Sequence, residues 1–213
     1  MSKVGFSLYL ITDRHQTAGR NLLAVVEEAL EGGVRAVQLR EKDLPPRELL
    51  ELARAMRALT GRYGAKLIIN DRADIALAAG ADGVHLGEAS IPAAAARRIL
   101  GPDRLIGVSC HGTEGALAAE TSGADFITFG PVYPTPSKAA YGPAAGVKRL
   151  AETAKLLRIP VFALGGIKRE NTSEAMAAGA AGVALISAII AAGNPAEETR
   201  AFLSLLAQIR HTE

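Results

Sequence analysis

A short pattern recurs along this chain: a helical stretch ends in glycine, and an apolar run rich in β-branched residues follows within a few positions. It appears four times, at residues 32–37, 80–84, 123–127 and 179–183. Glycine just past a helix end takes the left-handed conformation that closes the last turn, and such an apolar run is typical of a strand buried on both faces. Helix-then-strand units repeated in this way predict parallel strands connected by crossover helices.

The hydrophobic periodicity predicts eight strands that alternate with eight helices along the sequence. The strands are expected at about residues 7–12, 34–40, 66–70, 82–86, 104–109, 125–130, 160–164 and 181–186. The helices are expected near residues 20–31, 46–60, 72–79, 91–99, 113–122, 145–157, 170–178 and 195–210. The chain is therefore predicted to be an α/β protein, a single (β/α)8 TIM barrel with one catalytic domain over residues 1–213. An open doubly wound sheet would carry a glycine-rich motif after its first strand, and residues 11–15 contain no glycine.

Composition narrows the class of partner. A formal net charge of +2 and an aromatic content of 4% argue against binding to nucleic acid. The single cysteine, Cys110, cannot form a disulfide within the chain, which fits a reducing cytoplasm. No apolar run reaches the length of about 18 residues that a membrane span needs. We therefore expect a cytoplasmic protein that acts on small molecules, with neither a nucleic-acid nor a membrane partner, while a homo-oligomer stays an open alternative.

The active site of a TIM barrel lies at the C-terminal ends of the strands, and the second predicted strand ends there in cations. Alternation places Gln38, Arg40 and Lys42 on one face, whereas Val37 and Leu39 point toward the helices. Arginine offers a planar fork to an anion and lysine a point charge. The pattern favours an anion clamp, and a solvated strand end is the alternative.

The third and fifth predicted strands also end in polar residues. Asn70 and Asp71 could cap the next helix, but opposite a cationic clamp Asp71 becomes a candidate Mg²⁺ ligand. Ser109 and His111 share a face of the fifth strand, and Cys110 points the other way. Because Cys110 and His111 do not face each other, covalent catalysis is disfavoured and Cys110 is expected to be a packing residue.

Residues 130–138, after the sixth strand, contain three prolines, two hydroxyl side chains and a lysine, and they are expected to form a lid or clamp. A plain irregular loop is the alternative. After the seventh strand come Gly165 and Gly166, and after the eighth strand Ile186–Ser187 runs straight into a helix, so that glycines and a helix N-terminus are expected to form the phosphate pocket found in many TIM barrels. A packing role for the glycine pair stays open. The pattern indicates two anion sites and thus two phosphorylated groups, one of them a candidate Mg²⁺-bound diphosphate.

Seven short motifs follow one another over nearly the whole chain, and together they resemble the thiamine phosphate synthase and thiazole tautomerase superfamily. They are the stretches at 38–42, 69–72, 80–87, 107–111, 130–135, 165–167 and 186–189. The resemblance implies that two substrates are joined. The diphosphate leaves a pyrimidine-methyl group first, and the nitrogen of thiazole phosphate then captures the resulting cation. No protein nucleophile is needed, so the protein contributes positioning and charge stabilisation.

The resemblance also implies roles for individual residues. The residues expected to bind the aminopyrimidine diphosphate are Gln38, Leu39, Arg40, Glu41, Lys42, Asn70, Ser109 and Lys138. The residues expected to bind thiazole phosphate are Thr135, Pro136, Ser137, Gly166, Ile186 and Ser187. The residues expected to take part in catalysis are Arg40, Ser109, His111 and Lys138, and Asp71 is expected to hold the Mg²⁺ cofactor.

One triplet departs from the family pattern. Where the synthases typically carry Gln-Glu-Asp, with the Asp as a second Mg²⁺ ligand, this chain has Glu88, Ala89 and Ser90. Ser90 then stands at the metal position without a charge, with Glu88 or water as a substitute. The departure raises the tautomerase as the alternative function, with His111 as its acid and base. A non-catalytic barrel that binds a phosphorylated ligand is a further alternative.

Overall fold

The computed structural model describes residues 4–87, 89–135 and 144–210, and its eight parallel strands close into a barrel in sequence order. The strands are β1 (Leu8–Ile11), β2 (Ala36–Leu39), β3 (Lys66–Asn70), β4 (Gly83–Leu86), β5 (Leu105–Cys110), β6 (Phe126–Phe129), β7 (Val161–Leu164) and β8 (Gly182–Leu185). Strand β8 pairs with β1, with Tyr9 opposite Ala184. The predicted TIM barrel is confirmed.

Helices cover the outside of the barrel. They are α1 (Leu22–Glu31), α2 (Pro46–Arg62), α3 (Ala73–Ala78), α4 (Ala93–Leu100), α5 (Thr113–Thr121), α6 (Gly146–Leu156), α7 (Arg169–Ala177), α8 (Ser187–Ile190) and α9 (Pro195–Arg210). A 3-10 helix at Arg14–Gln16 was not predicted, because an element this short gives no periodicity to detect. The single turn α8 confirms the helix start that was expected directly after the eighth strand. Between residues 4–87, 89–135 and 144–210, no helix has both the length and the hydrophobicity needed to cross a bilayer.

Glycine closes the helices as the repeated pattern predicted. Gly80 follows α3 with φ +65°, and Gly123 follows α5 with φ +89°. Residues with a side chain rarely adopt this conformation, so glycine ends each helix and lets the chain turn into the next strand. Each of these turns sets the residue at which the next strand, β4 or β6, begins. It thereby sets which side chains lie at the C-terminal end of that strand.

The strands separate two packing layers. Val37 and Leu39 are buried against the helices, as alternation predicted. The interior holds an aromatic cluster of Phe6, Phe126 and Phe162, with ring centroids 5.2 to 5.8 Å apart. Phe126 and Phe162 lie near the N-terminal ends of β6 and β7. They form an apolar floor, and the interior space above it opens at the C-terminal ends of the strands.

Candidate functional site

A cavity of about 1450 Å³ occupies the C-terminal end of the barrel and brings most of the predicted site residues together. Its lining includes Gln38, Leu39, Arg40, Glu41, Lys42, Asn70, Asp71, Ser90, Ser109, His111, Thr135, Gly166, Ile186 and Ser187. These residues come from the C-terminal ends of seven different strands and from the loops that follow them. Pro136, Ser137, Lys138 and Glu88, which were also predicted to act here, lie outside the described residues.

Glu41 fastens the end of β2 to the end of β1. Its carboxylate accepts hydrogen bonds from the Thr12 hydroxyl at 2.6 Å and from the Arg14 backbone N–H at 3.1 Å. The Thr12 hydroxyl oxygen also accepts from the Arg40 backbone N–H at 2.9 Å. Glu41 is only 4% exposed. This arrangement holds the backbone of Arg40 rigidly at the cavity rim, and it occupies the carboxylate that was predicted to contact substrate.

The charges that line the cavity are mainly positive. Five cationic side chains face two carboxylates, those of Glu41 and Asp71. The cationic residues are Arg40, Lys42, Arg72, Arg149 and Lys168. The sequence analysis missed Arg149 and Lys168, although Lys168 follows the Gly165–Ile167 motif directly and Arg149 lies in the first turn of α6. Such an excess of cations in a concave site attracts anions.

Asp71 holds an uncommon backbone conformation at the end of β3. Its φ is +65°, in the left-handed region that few residues other than glycine adopt. Two backbone hydrogen bonds fix it there, from the Asp71 N–H to the His85 carbonyl at 2.8 Å and from the Arg72 N–H to the Asn70 carbonyl at 2.7 Å. No side chain caps α3, so the helix-cap alternative for Asn70 and Asp71 is wrong. The Asp71 carboxylate is exposed to the cavity and accepts no hydrogen bond from the described residues.

Ser90 lies across the same rim in a tight turn. Its hydroxyl oxygen accepts a hydrogen bond from the Gly87 N–H at 2.8 Å, and its own N–H donates to the Gly87 carbonyl at 3.1 Å. Within the described ranges, no group of three or more His, Cys, Asp or Glu side chains could hold a metal ion. A metal here would therefore need most of its ligands from a substrate and from water.

The end of β5 separates its three candidate side chains. Cys110 is buried on the helix side, 3% exposed, with its sulfur 4.0 Å from the Val108 carbonyl oxygen. Ser109 faces the barrel interior, and the His111 Nδ1 forms a hydrogen bond with the Gly130 carbonyl. Cys110 and His111 thus have no shared geometry for a nucleophilic dyad, and Cys110 packs in the core as expected.

Gly165 and Gly166 join the cavity wall to residues 131–134. Their φ values are +93° and +66°. A Cβ atom on Gly165 would lie 2.6 Å from the Cα of Pro131, and one on Gly166 would lie 2.7 Å from the Cβ of Tyr133. Close packing therefore requires both glycines, as the packing alternative held. The same pair also lines the cavity beside Ser187, as the phosphate-pocket hypothesis expected.

A buried polar network lies between the aromatic floor and the cavity. Gln38 Nε2 donates to the Tyr9 hydroxyl at 3.0 Å, and that hydroxyl lies 3.4 Å from Nδ1 of His85. His85 Nε2 lies 3.0 Å from the Ser109 hydroxyl and 3.3 Å from that of Thr128. Burial, with a smaller contribution from the charge of Arg40, lowers the pKa of His85 to about 3. Gln38 and Ser109 were predicted as site residues. Tyr9, His85 and Thr128 were not, because they lie inside apolar strand sequences.

The chain is similar to proteins of one family over nearly its whole length. The family model described as Thiamine monophosphate synthase matches residues 8–189. A protein of Geobacter sulfurreducens with the provisional name thiamine-phosphate synthase is 74% identical over 206 residues, or 97% of each chain. A thiamine-phosphate synthase of Roseiflexus sp. is 45% identical over 203 residues, covering 95% of this chain and 86% of that protein. The structure of thiamine phosphate pyrophosphorylase from Pyrococcus furiosus has a TM-score of 0.88 at 37% identity and covers 98% of both chains.

Proposed function

Because this chain belongs to the thiamine monophosphate synthase family, we propose that it couples an aminopyrimidine-methyl diphosphate to thiazole phosphate. The products are thiamine phosphate and diphosphate. The bond between the methylene carbon and the diphosphate oxygen breaks, and its electron pair leaves with the diphosphate. A new bond then forms from the lone pair of the thiazole nitrogen to the same carbon.

The observation that carries this proposal is the distribution of charge around the cavity. Arg40, Lys42 and Arg72 follow β2 and β3, on one side of β1. Gly166, Lys168 and Ser187 follow β7 and β8, on the other side of it. Two anion-binding regions at one mouth suit two phosphorylated substrates whose carbon and nitrogen atoms must meet between them.

The protein's contribution would be electrostatic and positional. Arg40 and Lys42 would bind the diphosphate and stabilise the charge that develops on it as the bond to carbon breaks, because groups already oriented toward that charge need no reorganisation. Lys138, from the segment outside the described residues, is proposed to add a further cation. The fixed backbone of Arg40 supports this role. Holding the thiazole nitrogen near the cationic carbon removes the entropic cost of their encounter.

Mg²⁺ is the cofactor that the family resemblance implies, and Asp71 fits it better than Ser90 does. The Asp71 carboxylate has no donor among the described residues and stands at the rim on a fixed backbone, whereas the Ser90 oxygen already accepts from Gly87. Mg²⁺ is commonly held by one or two carboxylates together with substrate phosphates and water. When bound, it would supply positive charge to the departing diphosphate. Asp71 would orient that charge, and Ser90 would act through a water molecule.

The tautomerase alternative rested on Ser90 and on His111 as acid and base. The relatives described above carry synthase names, and the diphosphate-side residues Arg40, Lys42 and Asp71 all line the cavity. A tautomerase that acts on a thiazole phosphate carboxylate has no diphosphate to bind, and so it has no use for the Arg40 and Lys42 clamp or for a metal ligand at Asp71. A purely binding barrel likewise needs only the region after β7 and β8. The synthase reaction uses both.

The test is direct formation of product. Purified protein with both substrates and Mg²⁺ should release thiamine phosphate and diphosphate in equal amounts, and omission of either substrate should abolish both. Chromatography with fluorescence detection of the oxidised thiamine phosphate measures the first product, and a coupled assay measures the second. Release of diphosphate without thiamine phosphate would show hydrolysis instead, and release of neither would refute the proposed function.

A further inference from the structure

The polar network of Gln38, Tyr9, His85, Ser109 and Thr128 lies beneath the cavity in largely apolar surroundings. Tyr9 and His85 are 0% and 2% exposed, and their rings pack on Phe126 with centroids 5.4 and 5.7 Å apart. A Cβ on Gly107, the residue opposite His85 on β5, would collide with the imidazole ring. The fold therefore reserves a space for the histidine. Buried polar groups without hydrogen bonds are costly, so the direction of each bond in this network is strongly constrained.

Those directions can be assigned from one end. Gln38 Nε2 donates to the Tyr9 oxygen, so the single phenol proton remains for Nδ1 of His85. Tyr9 and His85 are both buried, and among the described residues no charged side chain hydrogen-bonds to either, so the phenol keeps its proton and the imidazole is neutral. A neutral imidazole that accepts at Nδ1 carries its proton on Nε2. His85 then donates to the Ser109 hydroxyl at 3.0 Å.

The two ends of this network, Gln38 and Ser109, face the cavity. Ser109 accepts from His85, and Thr128 donates to it at 3.4 Å, so the Ser109 proton is left to point elsewhere. The Gln38 amide has its nitrogen turned to Tyr9, and its carbonyl oxygen accepts no hydrogen bond from the described residues although the side chain is 1% exposed. Both residues line the cavity. The site thus presents one oriented acceptor, Gln38 Oε1, and one oriented donor, Ser109 O–H.

We infer that Tyr9 and His85 are positioning residues that lock Gln38 as an acceptor and Ser109 as a donor, and thereby select an amino-substituted heterocycle over its oxo analogue. The inference rests on the proposed function, because it assumes that the pyrimidine diphosphate occupies this part of the cavity. An exocyclic amino group donates to Gln38 Oε1. An oxo group at the same place would meet oxygen against oxygen.

The lock acts because the amide cannot turn over. If Gln38 rotated to offer its N–H to an oxo group, its carbonyl oxygen would face the Tyr9 oxygen. Tyr9 would then have to give its proton to Gln38 and abandon Nδ1 of His85. That change would reverse the direction of the remaining hydrogen bonds in the network. They include the bond from His85 to Ser109, which leaves the Ser109 proton free for a ligand. A site built around buried hydrogen-bonding groups rejects a mismatched ligand strongly, because its own groups lose their partners.

The experiment removes the Tyr9 hydroxyl from the network. Tyr9→Phe keeps the ring on its aromatic floor but frees both Gln38 and His85 from the constraint. Tyr63→Phe is the matched control, because that hydroxyl lies on the outside near Glu27, 3.5 Å away, and does not line the cavity. Calorimetry would give dissociation constants for the amino and oxo forms of the pyrimidine-methyl diphosphate without thiazole phosphate, so that no coupling takes place.

We expect wild type and Tyr63→Phe to prefer the amino form, and Tyr9→Phe to lose about tenfold of that preference, the effect of one oriented hydrogen bond. In a Gln38→Ala background, Tyr9→Phe should change the preference no further, because Tyr9 acts through Gln38. An unchanged preference in correctly folded Tyr9→Phe would overturn the inference, as would equal binding of both forms by wild type.

Nitrogen NMR of labelled imidazole gives a second reading that needs no ligand. His85 in wild type should be neutral with its proton on Nε2, and in Tyr9→Phe it should become a mixture of tautomers. A proton on Nδ1 in wild type would overturn the inference even if Tyr9→Phe failed to fold. If wild type binds the pyrimidine diphosphate selectively but forms no thiamine phosphate, the proposed reaction fails while the positioning role stands. If wild type forms thiamine phosphate but binds the amino and oxo forms equally well, the proposed reaction stands and the positioning role fails.

Discussion

The two ends of the barrel use charge in opposite ways. At the N-terminal end, Asp82 accepts from the Leu67 N–H at 2.9 Å and pairs with Arg57 at 2.6 Å. Asp125 makes the same pair of contacts two β/α units further on, accepting from the Ile106 N–H at 2.7 Å and pairing with Arg97 at 2.6 Å. Each carboxylate joins a neighbouring strand to a helix, and so its charge is used in holding the fold.

At the C-terminal end the charges of Asp71 and Arg40 are left for a ligand. Asp71 stands in a left-handed conformation without a donor from the described residues, and the side chain of Arg40 has no hydrogen-bonding partner among them. These groups add little to the folded state, and Asp71 costs backbone strain. The comparison teaches that stability and chemistry are divided between the two ends, as is general for TIM barrels. Substitutions at each end can therefore be expected to act on different measurements.

A large effect on rate is expected from Arg40, the cavity cation whose charge acts on His85. Arg40→Met should lower kcat/KM for coupling by about 10²-fold, because a cation that stabilises the departing diphosphate is lost. Its thermal unfolding should remain that of wild type. The matched control is Arg47→Met, at an exposed position in the first turn of α2 outside the cavity lining. If Arg40→Met lost stability but kept its rate, this would contradict the claim that Arg40 serves ligand binding and not the fold.

The N-terminal end predicts the opposite pattern. Asp125→Ala should lower the free energy of unfolding by about 2 kcal/mol, because the Ile106 N–H loses its acceptor and the Arg97 guanidinium loses its carboxylate partner. Coupling per folded molecule should not change. Urea unfolding measures the first and initial rates the second. Asp103→Ala, at an exposed carboxylate before β5, is the control that should leave both near wild type.

The buried side chain of His85 makes the free energy of unfolding depend on pH. The pKa of His85 falls from 6.5 to about 3 on folding, so between those values the unfolded chain binds a proton that the folded chain does not. Stability contributed by His85 is therefore present above about pH 6.5 and is lost toward lower pH, at up to about 1.4 kcal/mol per pH unit. His85→Gln should reduce the slope of unfolding free energy against pH by about one proton. An identical slope in the variant would contradict the neutral state of His85.

The smallest effect is expected from an exposed cation. Arg149→Met should weaken the binding of inorganic diphosphate by about threefold, since exposed charges contribute only a fraction of a kcal/mol each. Added salt should reduce the difference further. Lys148→Met is a close control, because it removes a neighbouring exposed cation that does not line the cavity. Equal weakening by both variants would mean that overall charge, rather than the cavity wall, accounts for anion binding.

The fold could be predicted from the sequence because local signals agree with each other. Glycine closures, apolar strand runs and helix periodicity placed each strand to within about two residues of its position. The 3-10 helix at Arg14–Gln16 gave no such signal. Alternation correctly sent Val37 and Leu39 outward and Gln38 inward, since the direction of side chains along a strand follows from backbone geometry alone.

The site could be predicted only at its rim. Polar residues at strand ends, such as Arg40 and Asp71, stand out against the turn residues expected there. Tyr9, His85 and Thr128 lie within three apolar strands, β1, β4 and β6, and their meeting depends on the register of the strands around the closed barrel. No local pattern contains that register. The partners of Glu41 were missed for the same reason, because Thr12 and Arg14 come from another strand and the turn that follows it.

The most direct test of the division between the two ends is a Mg²⁺ titration of coupling by wild type and Asp71→Asn. Wild type should depend on Mg²⁺ and lose its rate with a chelator. Asp71→Asn should be slower by about 10²-fold or more with unchanged stability, because the rim carboxylate serves the diphosphate and not the fold. Asp74→Asn, at the neighbouring carboxylate paired with Arg72, serves as the control. Coupling that ignores both chelator and Asp71→Asn would contradict the account.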